Sequence, residues 1–159
     1  MPPKADDDPS RPLDLDALTG LVGYALRQTQ VAVYRTVRAH FAAFDIRPSQ
    51  FGILTAIGRN PGLRPSEVGA ALGVQRTNLV PLLNGLVERG LIARERLQTD
   101  RRAHSLRLTE AGEEVLAGLM RAASRHEAEI TASLAPGERE RLLALLDAVR
   151  RGCDETGTA

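Results

Sequence analysis

The side chains in this sequence that could do chemistry are grouped for holding an anion rather than for breaking a bond. Gln75, Arg76, Thr77 and Asn78 follow one another where a helix begins. In a DNA major groove arginine pairs with guanine, and asparagine or glutamine pairs with adenine. Farther on, Arg94 and Arg96 precede the run Leu97-Gln98-Thr99-Asp100-Arg101-Arg102. An arginine-rich turn beside such a helix can reach the sugar-phosphate backbone or the narrowed, more negative minor groove. Between residues 76 and 107 the arginines outnumber the acidic residues by four, although the whole chain carries a net charge of only +1. Near the N-terminus the balance is acidic, with Asp6, Asp7, Asp8, Asp14 and Asp16. A local basic stretch in a near-neutral chain points to an anionic partner; arginine used simply as surface charge is the plainer alternative.

A second grouping mixes rings with cations. Tyr34, Phe41, Phe44 and Phe51 are four of the five aromatic residues, and Arg35, Arg38, His40 and Arg47 are interleaved with them. Stacking and charge-assisted hydrogen bonds together suit an aromatic carboxylate. The competing reading is that the rings fill the core while the arginines face water.

Little supports bond-breaking chemistry. His40, His104 and His126 have no short metal-ligand spacing between them. His126-Glu127-Ala128-Glu129 with Cys153 could be imagined around a metal, but a solvated helix face explains it more simply. No Ser/His/Asp arrangement, phosphate loop or cysteine motif is present. No enzyme activity, cofactor or metal is therefore expected. Cys153 has no second cysteine to pair with, in keeping with a reducing compartment. No apolar run reaches the ~18 residues of a membrane span, so a cytoplasmic protein is expected.

The elements that must position these groups follow from periodicity and caps. Residues 1–13, acidic and proline-rich, read as a disordered tail. Leu15, Leu18, Val22, Leu26, Val33, Val37 and Phe41 recur at helical spacing, predicting one helix of roughly thirty residues, with Gly20 and Gly23 loosening its start. Pro48 suits the first turn of a second helix and Arg64-Pro65 opens a third. A fourth helix runs from about Arg76 to Arg89, with Leu79, Leu82, Leu83 and Leu86 inward and Gly90 as its stop. Pro81 lies inside it and should bend rather than break it. A hairpin follows, then Thr109 caps another helix, and Pro136-Gly137 precedes the last. The helix pair meets the demands of a helix-turn-helix, with Gly69 where two helices touch and Gly73 in the turn.

At this point the residues resemble a family. The run from Asp100-Arg101-Arg102 to Leu108-Thr109-Glu110-Ala111-Gly112 is similar to the Asp-x-Arg wing signature and the following Leu-Thr-x-x-Gly of MarR-type regulators. Pro48-Ser49-Gln50-Phe51, Leu72-Gly73-Val74 and Leu86-Val87-Glu88-Arg89-Gly90-Leu91-Ile92 resemble the same family, and the similarity covers roughly residues 15–150. The resemblance implies a homodimer with interlocked terminal helices and recognition helices in successive major grooves of a pseudo-palindromic operator. It implies that Arg102 enters the minor groove and that Asp100 orients an arginine near the wing. Effectors of the family, aromatic carboxylates among them, bind near the junction where the rings and cations of this chain cluster. Some members sense oxidants through a cysteine early in the first helix, and this chain has none there.

The sequence thus predicts a mainly α protein with a small β-hairpin wing. A winged helix-turn-helix over 48–109 should lie between dimerisation helices at 14–47 and 110–152, all within one domain over 14–152. The long apolar stripe and the C-terminal helices independently exceed what one chain of this size can cover, which asks for a two-fold partner. The expected DNA contacts are Gln75, Arg76, Thr77, Asn78, Arg94, Arg96, Asp100, Arg101 and Arg102. The candidate ligand contacts are Tyr34, Arg38, His40, Phe41, Phe44, Arg47 and Phe51. The expected function is a repressor of transcription relieved by a small molecule; the alternative is an architectural DNA-binding protein that answers to no ligand.

Overall fold

A computed structural model describes residues 14–97 and 100–156, and for residues 96, 97 and 100–103 the backbone alone. The tail expected over 1–13 and the tip residues Gln98 and Thr99 lie outside the described residues. The helices are α1 (Asp16–Thr19), α2 (Val22–Phe41), α3 (Pro48–Arg59), α4 (Pro65–Leu72), α5 (Arg76–Glu88), α6 (Glu110–Ile130) and α7 (Glu138–Thr156), and the strands are β1 (Ile92–Leu97) and β2 (Asp100–Leu108). The chain divides into two compact units between Arg35 and Thr36, within α2.

The expected thirty-residue first helix is interrupted. Gly20 ends α1, and a short 3₁₀ turn over Ala42–Phe44 closes α2. Asp45 then takes a left-handed conformation, φ 50°. Apolar periodicity runs through such interruptions because it reports which face is apolar, not whether the backbone hydrogen bonds continue.

The helix starts obey local rules. α3 and α4 each open on proline, which needs no hydrogen-bond acceptor there. The preceding backbone N–H groups donate to side chains in the first turn, Arg47 to Gln50 at 2.9 Å and Arg64 to Glu67 at 2.7 Å. α5 ends at Gly90, φ 67°, where the amides of Gly90 and Leu91 donate to the carbonyls of Val87 and Leu86. This double bond pattern needs a left-handed residue, which glycine adopts without strain. Pro81 leaves α5 continuous from Arg76 to Glu88.

The core of the second unit gathers Ile53, Leu54 and Ile57 of α3, Val68 of α4, Leu79, Leu83 and Leu86 of α5, Ile92 and Leu106 of the hairpin, and Leu119 of α6. Each buried aliphatic side chain contributes about 1.5–3 kcal/mol of transfer free energy. The hairpin is antiparallel, with Ile92 opposite Leu108 and Arg94 opposite Leu106. Leu106 also exchanges backbone hydrogen bonds with the α3–α4 loop, donating to Leu63 at 2.8 Å and accepting from Gly62 at 3.0 Å. The base of the hairpin is therefore fixed to the helix-turn-helix.

Other apolar surface stays open. In α7 no residue is buried, and Leu142, Leu143, Leu145, Leu146 and Val149 are all exposed. In the first unit Leu15, Leu18, Leu21, Val22 and Val31 are exposed. Among the described residues no helix is long and apolar enough to cross a membrane.

Candidate nucleic-acid interface

α4 and α5 are joined by Gly73-Val74-Gln75, and their close contact depends on Gly69. A Cβ there would stand 3.0 Å from the Val74 carbonyl oxygen and 3.3 Å from Leu79. Gly73, φ 63°, turns the chain, while its amide and that of Val74 donate to the carbonyls of Ala70 and Gly69. The turn buries Leu79 and leaves Gln75, Arg76, Thr77 and Asn78 all exposed at the start of α5. First-turn amides of a helix lack intrahelical acceptors, so this end also offers backbone donors and a positive dipole to an anion.

The hairpin stands beside that helix. Arg94 of β1 is exposed, and its Nη2 donates to Oδ1 of Asn84 on α5 at 2.6 Å. The backbone sets Arg96 opposite His104 and Leu97 opposite Asp100, with a register shift between Arg96 and Leu97. The side chains of Arg96, Asp100, Arg101 and Arg102 lie outside the described residues. A groove of about 610 Å³ runs between α4, α5 and the hairpin, with Arg64, Ser66, Arg76, Arg94 and His104 among its lining residues and no carboxylate among them. Its floor includes Leu79 and Leu83. His104 thus faces the helix-turn-helix, as its alternation with Leu106 implies, yet remains exposed.

Arg64, Ser66 and Asn84 were not expected from the sequence. Arg64 precedes a helix-starting proline, which flags its backbone and says nothing of its charge. Asn84 sits two residues before a core leucine and carries no local signal at all.

The hairpin is locked to α6 by the Leu-Thr-x-x-Gly run. Thr109 Oγ1 accepts from the Gly112 amide at 3.0 Å and donates to the Gly90 carbonyl at 2.6 Å. The Thr109 amide donates to the Leu91 carbonyl at 3.1 Å. A Cβ on Gly112 would lie 1.9 Å from that same Leu91 oxygen. The glycine is needed for space.

Within the ring-and-cation grouping the three phenylalanines and His40 make contacts inside the chain. Phe41 is buried and meets Phe51 edge to face, with centroids 5.0 Å apart. Phe44 packs on Gly118, where a Cβ would come within 2.4 Å of the ring. His40 Nε2 lies 2.9 Å from Glu129 Oε2, and its ring meets that of His126 edge to face at 5.2 Å. His126 is buried and bonded to Thr36 Oγ1 at 2.9 Å. Arg38 and Arg47 are exposed. Tyr34, in the first unit, is also exposed. A cavity of about 560 Å³ between α3, β2 and α6 is lined by Thr55, Arg59, Arg107, Leu108, Leu116 and Met120 among others, and by none of the seven candidate ligand residues. Among the described residues no cluster of His, Cys, Asp or Glu could hold a metal ion.

Comparison with known proteins gives a consistent result. A model of the MarR family matches residues 44–103. A transcriptional regulatory protein for the hcr operon of Thauera aromatica is 35% identical over 141 residues, covering 88% of this chain and 85% of the relative. The transcriptional repressor CouR, solved on a 23-mer DNA duplex, is 35% identical with a TM-score of 0.83, covering 88% of this chain and 99% of that one. CouR has also been solved with p-coumaroyl-CoA, at 34% identity and a TM-score of 0.81, with the same coverage. The PcaV transcriptional regulator of Streptomyces coelicolor, in complex with its natural ligand, is 27% identical with a TM-score of 0.72, covering 91% and 97%.

Proposed function

The chain belongs to the MarR family of transcriptional regulators, and from that premise we propose that it is a homodimeric repressor whose hold on a pseudo-palindromic operator is released by a small ligand. The observation that carries this reading is the exposed start of α5, bearing Gln75, Arg76, Thr77 and Asn78, beside an arginine-bearing hairpin across a groove without carboxylates. Base edges would be read by Arg76 and Asn78. Arg94, Arg96, Arg101 and Arg102 would meet phosphates and the flanking minor groove, with Asp100 orienting a neighbouring arginine. The open apolar faces of α7 and of residues 15–31 support dimerisation, since exposed apolar surface of that extent in a small protein is normally covered by a partner.

The effector we propose is an aromatic acid, free or as its coenzyme A thioester. Support comes from CouR bound to p-coumaroyl-CoA and PcaV bound to its natural ligand. Arg38 and Arg47 are the proposed cations for its anionic groups, His40 a proposed hydrogen-bond partner, and Tyr34, Phe41, Phe44 and Phe51 the proposed apolar contacts. A ligand shifts DNA binding only by its differential affinity for the DNA-competent and DNA-incompetent states. The effector therefore acts by favouring a conformation with the wrong spacing between recognition helices.

The test is selection of duplexes from a randomised pool, followed by titration of the complex with p-coumaroyl-CoA and with benzoate. Enrichment of an inverted repeat, and release by one of these compounds, is the expected result. Equal affinity for selected and scrambled duplexes, with no response to either compound, would favour an architectural protein and refute the repressor reading.

A further inference from the structure

We infer that Asn84 is a positioning residue for DNA binding, fixing Arg94 so that its guanidinium meets the DNA backbone from one direction. The inference rests on the reading above that Arg94 faces DNA. Arg94 and Asn84 belong to different elements, β1 and α5, and both are exposed. Their 2.6 Å hydrogen bond spans the turn through Gly90 and links the hairpin to the recognition helix by side chains. A guanidinium has five N–H donors, so one bond to Asn84 leaves most of them for a phosphate.

The chemistry of the acceptor matters. On the same hairpin Arg107 is paired with a carboxylate, Glu95, at 3.2 Å, which offsets its charge. Arg94 is held instead by a neutral amide, and among the described residues no carboxylate pairs with it. No described side chain offsets its positive charge, while the bond to Asn84 orients the guanidinium. Arg64 and Arg76 line the same groove, so the held guanidinium adds to a cationic cleft rather than standing alone. A long side chain ordered before binding loses less entropy on contact with its partner.

The experiment uses the full chain and a 23-base-pair duplex selected by the wild-type protein from a randomised pool. Asn84→Ala, Arg94→Ala and the double variant are compared by DNA affinity across a salt series. Alanine is favourable at an exposed helical position, so Asn84→Ala should fold and melt like the wild type. Asn84→Ala is expected to weaken binding by about 2- to 12-fold per protomer, the range set by ordering one long side chain. Its salt slope should be unchanged, because the charge remains. Arg94→Ala should lose affinity and also flatten the slope by up to ~1 per protomer. The double variant should bind no worse than Arg94→Ala. Wild-type affinity in Asn84→Ala overturns the inference, and so does an equal further loss when Asn84→Ala is added to Arg94→Ala, which would mean that Asn84 acts without Arg94. Failure of the wild type to select any duplex would instead defeat the DNA-binding reading itself.

Discussion

Replacing Gly112 by alanine puts a methyl group 1.9 Å from the carbonyl oxygen of Leu91. The obstacle is backbone rather than a side chain that can swing away, and the Leu91 oxygen is already engaged by the Thr109 amide at 3.1 Å. A comfortable carbon–oxygen contact is ~3.4 Å or more, so the two segments would have to separate by roughly 1.5 Å in a close-packed region. Alanine returns at most ~1 kcal/mol through helix propensity. Against this stand overpacking of ~1–3 kcal/mol and strain on the cap at Thr109, worth ~1 kcal/mol. The net expectation is a loss of about 1–3 kcal/mol, or roughly 2–12 °C in melting temperature for a domain of this size.

Gly85 supplies the control. It lies within α5 with nothing near its absent Cβ, so Gly85→Ala should leave stability unchanged or raise it by up to ~1 kcal/mol. Thermal melts followed by circular dichroism at matched protein concentration would compare the two. Because Leu91 connects α5 to β1, Gly112→Ala should also misplace the hairpin and weaken DNA binding at temperatures where the variant remains folded. Melting of Gly112→Ala at or above the wild-type temperature would refute the steric reasoning.

Four further outcomes are expected. Asn78→Ala should cost ~1–3 kcal/mol per half-site and relax preference at one base pair, whereas Arg102→Ala should weaken binding to many sequences and flatten the salt slope by up to ~2 per dimer, both read from binding isotherms on selected and scrambled duplexes. Deleting residues from Pro136 onward removes α7 and should abolish the dimer, as sedimentation would show; a truncated protein that remained dimeric with full DNA affinity would contradict the assignment of that helix. Hydrogen bonding from Arg150, aided by the charges of Arg151 and Arg150, holds the Asp147 carboxyl below its usual range. A depressed carboxylate contributes stability that is present above its unfolded value near 4 and is lost as pH falls through the lower folded value. Acid melts should therefore show a loss below about pH 4 that is smaller in Asp147→Asn.

The sequence alone determined the features that a few adjacent residues decide. Pro48 and Pro65 start helices, Gly73 and Gly90 end them in left-handed conformations, and Thr109 caps α6, because each acts on backbone within a few residues of itself. Apolar spacing likewise marked Leu79, Leu82, Leu83 and Leu86 as the inward face of α5, since periodicity is a property of the helix itself; three of them are buried and Leu82 is half-buried. The helix-turn-helix, its exposed polar start and the hairpin after it were legible for that reason.

Only the tertiary structure decided which distant groups meet. Gly112 is separated in sequence from the Leu91 carbonyl that excludes its side chain, so the Leu-Thr-x-x-Gly pattern could be seen but not explained. That Phe41 and Phe51, ten residues apart, meet edge to face was decided by the chain turn between α2 and α3 and not by their spacing. Asn84 gained a partner only when the turn at Gly90 laid β1 along α5 and set Arg94 against it. Caps and periods depend on torsions that each short segment settles for itself. The partner of a side chain depends on where two segments end up, and that is fixed by packing over the whole fold.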